Sequence, residues 1–136
     1  MAERLNPPDL YNAVQYGFSH AAVSGEGRTV HCAGQVAWNK DMNVVGAGDI
    51  AAQTRQICQN LTAVLAAAGA TPADVVRIRT YVVGHTPDKL GIVGAEMAAF
   101  WNGAVPAPNT WIGVETLALP DFLIEIEATA VVPSAS

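Results

Sequence analysis

The sequence predicts an α+β domain: one mixed β-sheet with two helices on one of its faces. Three observations lead there. Segments of two-residue and of 3.6-residue apolar periodicity follow one another in the order β-β-α-β-α-β-β. Two helix-start signals, Asp49 before Ile50 and the pair Thr86-Pro87, each open an amphipathic run. The stretch Ile124-Glu-Ile-Glu-Ala128 alternates strictly, so its aliphatic side chains face one way and Glu125 and Glu127 the other.

In chain order, residues 1–10 read as a loose lead-in, with Pro7-Pro8 opposing regular structure. Residues 14–24 and 29–38 read as a hairpin turned by Ser24-Gly25-Glu26-Gly27-Arg28, and residues 39–48 as a loop. A helix is expected from about Ile50 to Ala68, capped by Asp49 and stopped by Gly69. Its expected inner face is Ile50, Ile57, Leu61, Val64 and Ala68, with Gln53, Arg55, Gln56 and Gln59 largely elsewhere. Thr71-Pro72 caps a short turn, and the β-branched run Val75–Val83 is a strand. A second helix runs to about Asn102 with Leu90, Val93, Met97, Phe100 and Trp101 inward. After a linker, two more strands are joined by a Pro-Asp turn. The whole chain, 1–136, is then a single domain. One sheet face has helices over it and the other has nothing, and a symmetric oligomer is the economical cover.

Composition narrows the function. Hydrophobic residues make up 51% and charged residues 14%, which is apolar for a chain this short and fits an oligomer. The net charge is −5 and seven Lys and Arg are spread without a basic run, which argues against nucleic acid as a partner. Cys32 and Cys58 read as two buried, reduced thiols. The three histidines lack metal-ligand spacing, so no metal site is expected. The start of the chain has no apolar signal core, and no apolar run reaches membrane-spanning length. A cytoplasmic protein without membrane contact is the expectation. Serine hydrolase chemistry has no support, because Ser19 and Ser24 stand outside any Gly-x-Ser-x-Gly setting.

Seen together, several pieces resemble the Rid family, also called YjgF or reactive-intermediate deaminases. They are Gly17-Phe-Ser-His-Ala21, Ala33-Gly-Gln35, Ala51-Ala-Gln-Thr-Arg-Gln56, Asn60-Leu61, Ala67-Ala-Gly69, Asp74-Val-Val76 and Ile124-Glu-Ile-Glu-Ala128. Their order and spacing carry the likeness along nearly the whole chain. The resemblance implies a chorismate-mutase-like fold and a homotrimer with small-molecule clefts between subunits. It also implies cofactor-free hydrolysis of enamines and imines such as 2-aminoacrylate. In the best-studied branch an arginine grips the substrate carboxylate, a glutamate on the last strand positions water, and a tyrosine near the N-terminus completes the pocket.

Carried over from the Ile-Glu-Ile-Glu anchor, the water-positioning glutamate falls on Glu125, the arginine on Asn109 and the tyrosine on Phe18. Trp111 follows two residues after Asn109 on the same strand face. An asparagine cannot replace the bidentate guanidinium–carboxylate pair. The resemblance therefore implies a divergent branch, poor on 2-aminoacrylate. Glu125 is the expected catalytic residue, and Asn109, Trp111, Phe18, Gly34, Gln35 and His20 are the expected substrate-binding residues. Glu127 reads instead as a structural partner inside the assembly. Loss of both the arginine and the tyrosine hydroxyl leaves open the alternative of a trimeric metabolite-binding or accessory protein without catalysis.

Overall fold

The computed structural model describes residues 2–134. Its main body is a four-stranded mixed sheet in the order β3-β6-β4-β5, formed by β3 (Gly27–Gln35), β4 (Val75–Val83), β5 (Asn109–Val114) and β6 (Ile124–Pro133). Two helices, α1 (Ile50–Ala67) and α2 (Asp88–Trp101), pack on one face. The α+β class with two helices on a mixed sheet is therefore observed.

The N-terminal region differs from the expected hairpin. Residues 1–10 are not simply a lead-in: Glu3–Leu5 form β1, which pairs antiparallel with β2 (Ala21–Val23) in a separate two-stranded ribbon. Met1 lies outside the described residues. Strand β3 pairs with β6 instead of β2. The Gly-rich turn at 24–28 thus carries the chain between two sheets. Likewise β5 and β6, close in sequence, are not neighbours, because β4 lies between them, parallel to β5 and antiparallel to β6. Alternation fixes which residues are strands but not which strands pair.

Helix α1 starts as its sequence dictates: the Asp49 carboxylate accepts from the Ala52 N–H at 3.1 Å. It ends before Gly69, whose φ of +76° is the left-handed turn that glycine permits. Ile57, Leu61 and Leu65 are fully buried and meet Ile78, Val82, Ile124 and Ile126 from the sheet. Each such side chain contributes about 1.5–3 kcal/mol by leaving water.

Two expectations about inward faces are corrected. Gln53 is fully buried: its amide donates to the carbonyls of Gly46 (3.2 Å) and Asp121 (2.9 Å), and its Oε1 accepts from the Leu123 N–H at 3.0 Å. A glutamine is kept inside because it satisfies three backbone groups that would otherwise be stranded. Leu90, expected inward, is 49% exposed, because the first turn of α2 overhangs a cleft. No helix of the described residues is long and apolar enough to cross a membrane.

Candidate functional site

The open face of the sheet holds Glu125. Register pairs it with Tyr81 and pairs Glu127 with Arg79, so these four side chains share the face away from the helices. Between Cys32 and Gln35 the ladder slips: three steps along β3 span two along β6, which makes a bulge at Ala33-Gly34. The bulge sets bare backbone under the glutamate. A Cβ built on Gly34 would overlap the Glu125 carboxylate, so only glycine lets the carboxylate lie so close to the strand. Gln35, the next residue, turns its amide back to the Ala33 carbonyl at 3.2 Å.

The electrostatics at this point favour a proton acceptor. Burial pushes the Glu125 carboxyl above the ordinary glutamate range, and the nearby Glu127 charge pushes it the same way. Glu127 accepts a hydrogen bond from the Tyr81 hydroxyl, which anchors it. Of the two strand acids, Glu127 is held by a partner and Glu125 accepts none of the hydrogen bonds found among the described residues.

The helix-side face carries the other expected residues. Asn109 aligns with Ile78 and Trp111 with Thr80, so both project toward α2. The Thr80 hydroxyl donates to Asn109 Oδ1 at 3.1 Å. The indole N–H of Trp111 donates to His85 Nδ1 at 3.1 Å, which fixes the ring and gives His85 a role its loop position did not suggest. Phe18 closes the opposite side. Its segment is stitched to the linker before β5 by Ser19, whose hydroxyl donates to the Pro106 carbonyl at 2.6 Å and whose N–H donates to Ala107 at 3.3 Å.

Phe18, Thr80, Asn109 and Trp111 line a cleft of about 970 Å³ between the 11–18 segment, α2 and β5. Tyr11 sits at its rim, edge-on to Phe18 at 6.2 Å between ring centroids. His20 is not part of the wall. Its ring packs 4.7 Å from Tyr11 and its Nε2 bonds the Tyr11 carbonyl at 2.9 Å, so it supports the rim.

Within one chain, then, the expected residues form two groups. Glu125, Gly34 and Gln35 lie on the open face or its bulged edge, and Phe18, Asn109 and Trp111 lie in the cleft on the helix side. A single chain does not bring them together. Sequence reasoning missed Trp101, Gly91 and Gly94, which also border the cleft. The glycines, three apart on a helix, were the available signal. Neither cysteine is poised for chemistry: burial lifts Cys58 to about 12 and raises Cys32 as well. No group of His, Cys, Asp or Glu among the described residues could hold a metal ion.

The fold and this distribution of residues define a small α+β protein with an apolar cleft beside α2. A family model described as "Endoribonuclease L-PSP" matches residues 11–132. The chain is 36% identical to a RutC family protein of Pyrococcus horikoshii over 106 residues, 76% of this chain and 79% of that one. It is 36% identical over 109 residues to the 2-iminobutanoate/2-iminopropanoate deaminase of Escherichia coli strain K12, 77% of this chain and 80% of the other. A crystal structure of a Rid-family protein of unknown function from Yersinia pestis superposes with a TM-score of 0.94 at 55% identity, covering 96% of this chain and 98% of that one. The chain belongs to the Rid (YjgF) family.

Proposed function

We propose that the protein is a cofactor-independent, deaminase-like hydrolase of an imine or enamine, working in a cleft shared by neighbouring subunits of a homotrimer. The observation that carries the reading is the Glu125 carboxylate, partly desolvated and seated over the bare backbone of Gly34. The deaminase relative at 36% identity supports the reaction class.

The chemistry is short. Glu125 takes a proton from water as the oxygen adds to the imine carbon. The carbon–nitrogen bond then breaks, the nitrogen leaves as ammonia carrying the transferred protons, and a carbonyl remains. Backbone groups at the Ala33-Gly34 bulge are the nearest available to orient the reacting group. The cleft and Glu125 occupy opposite faces of one sheet, so a complete site takes the cleft of one chain and the glutamate of its neighbour. Strand β5 is the edge of the sheet, where a neighbour's open face can abut.

Asn109 stands where the resemblance expects a carboxylate-gripping arginine, which makes 2-aminoacrylate a poor substrate. None of the described side chains lining the cleft is charged, which favours a second reading, a trimeric binder of a small metabolite without turnover. The deciding assay generates imines with an amino-acid oxidase and traps unhydrolysed imine with semicarbazide. Glu125→Gln is expected to reduce turnover by about 10²-fold or more with the assembly intact. Equal turnover in the variant removes Glu125 from the mechanism. Asn109→Arg is expected to raise activity toward small 2-imino acids, and a wild type silent on every imine favours the binder.

A further inference from the structure

We infer that Tyr81 is a positioning residue: its hydroxyl ties down Glu127, holds that carboxylate's charge beside Glu125 and leaves Glu125 as the one free to meet water. This deepens the proposed function by saying how one of two strand acids becomes the base. It rests on that reading for the chemistry that Glu125 performs.

Glu125 and Glu127 share one face of β6, about 7 Å apart along the strand. They are the same residue type, so their surroundings decide which of them acts as base. Register sets Tyr81 directly across from Glu125 and Arg79 across from Glu127. The Tyr81 hydroxyl nevertheless donates to Glu127 Oε1, a diagonal reach that an aromatic side chain on a sheet can make. The hydroxyl keeps its proton there. The bond to Glu127 and then loss of hydration raise Tyr81 above the ordinary tyrosine range, against an opposing pull from Arg79. Arg79 and Glu127 face each other across the ladder, yet no ion pair between them is found among the described residues. The hydroxyl thus holds Glu127 where the guanidinium does not neutralise it. Glu125 is left over the bare backbone of Gly34.

The other charged or titratable groups on this face stand farther off. Arg77 on β4 and His31 on β3 both align with Thr129, one step beyond Glu127 from Glu125, and β5 carries none. Burial raises the Glu125 carboxyl most, and Glu127 is the charge that adds to it. The neighbour's cleft, which the proposed function sets against this face, is lined by no charged side chain among the described residues. The Tyr81–Glu127 bond lies within one chain, so assembly does not create it. Without the hydroxyl, Glu127 is free to turn to Arg79, and a paired charge acts on Glu125 more weakly.

The test compares wild type, Tyr81→Phe, Glu127→Gln and the double variant as native assemblies, with two readouts. One is the titration of Glu125, followed by the carbon-13 resonance of its carboxyl and assigned by its loss in Glu125→Gln. The other is kcat/KM against pH in the imine-hydrolysis assay. Tyr81→Phe keeps the ring and removes only the hydroxyl. It is expected to move the Glu125 midpoint down toward the ordinary glutamate range and the acid limb of the pH profile down with it. A weaker base is also slower, so kcat/KM at neutral pH is expected to fall roughly three- to tenfold. Glu127→Gln removes the charge itself and is expected to do the same. Because Tyr81 acts through Glu127, the double variant is expected to match Glu127→Gln without a second loss. A Glu125 midpoint that stays or rises in Tyr81→Phe, or an equal loss from Tyr81→Phe in the Glu127→Gln background, overturns the proposal. Should Tyr81→Phe fold poorly, an unmoved midpoint in Glu127→Gln overturns it as well. The resonance readout needs no turnover. If no imine is hydrolysed the proposed function fails, and the midpoint still decides whether Tyr81 sets the charge beside Glu125.

Discussion

Glu125 is held in an environment that suits a base and costs the fold something. Its carboxyl is raised above the ordinary value of 4.5 by burial and by Glu127. Through the interval from the ordinary glutamate range up to that raised value, the folded chain keeps a proton that the unfolded chain has already released. Stability therefore falls as pH rises through that interval. Glu125→Gln removes the slope. Its melting temperature is expected to exceed that of the wild type at neutral pH and to converge with it below a pH of about 4. A melting temperature lower than the wild type's at neutral pH would show that the carboxylate stabilises the fold. Gly34 makes a companion case, because a Cβ there displaces the carboxylate. Gly34→Ala is expected to lower turnover by about 10²-fold with little change in unfolding, since small misplacements of a reacting group are expensive. Single-turnover kinetics would check it, and unimpaired turnover would mean the Glu125–Gly34 contact is incidental.

At the scale of the element, Gln53 joins α1 to the strand that carries Glu125. Its three hydrogen bonds hold the loop at Gly46 and the entry to β6 at Asp121 and Leu123. Gln53→Leu keeps the volume and strands three backbone groups, so a loss of about 3 kcal/mol in urea unfolding is expected, together with lower turnover. A loss under about 1 kcal/mol would show that water replaces the side chain. The sequence made α1, β4, α2 and β6 legible, because caps and periodicity are local signals: Asp49, Thr71-Pro72 and Ile124-Glu-Ile-Glu-Ala128 each act within a few residues. It concealed Gln53, whose partners lie up to 70 positions away. It likewise concealed β1, a three-residue strand defined only by its pairing with Ala21–Val23. The Ala33-Gly34 bulge was half visible, as a glycine in a strand, but its purpose depends on a carboxylate brought there by β6.

At the scale of the molecule the question is why the expected site residues divide between two sheet faces. Glu125 points away from the helices, whereas Phe18, Asn109 and Trp111 surround a cleft beside α2. The sequence named both groups through a family pattern, yet it could not show the division, since face and pairing are settled only when strands assemble. A cyclic trimer reconciles them if each site uses one chain's cleft and the next chain's glutamate. Light scattering should then give about three times the 14.2 kDa chain mass. A sharper test is complementation. Glu125→Gln retains the cleft and Gly94→Leu retains the glutamate, and each alone is expected to be nearly silent. When the two are co-expressed in equal amounts, every mixed cyclic trimer contains one site that pairs an intact cleft with an intact Glu125. Random assembly would restore about a quarter of wild-type activity. If cleft and glutamate instead served the same chain's site, no mixed trimer would contain an intact pair and activity would stay at the level of the separate variants. Recovery near a quarter, measured with the imine-hydrolysis assay, would therefore establish the shared construction of the site, and light scattering the number of subunits.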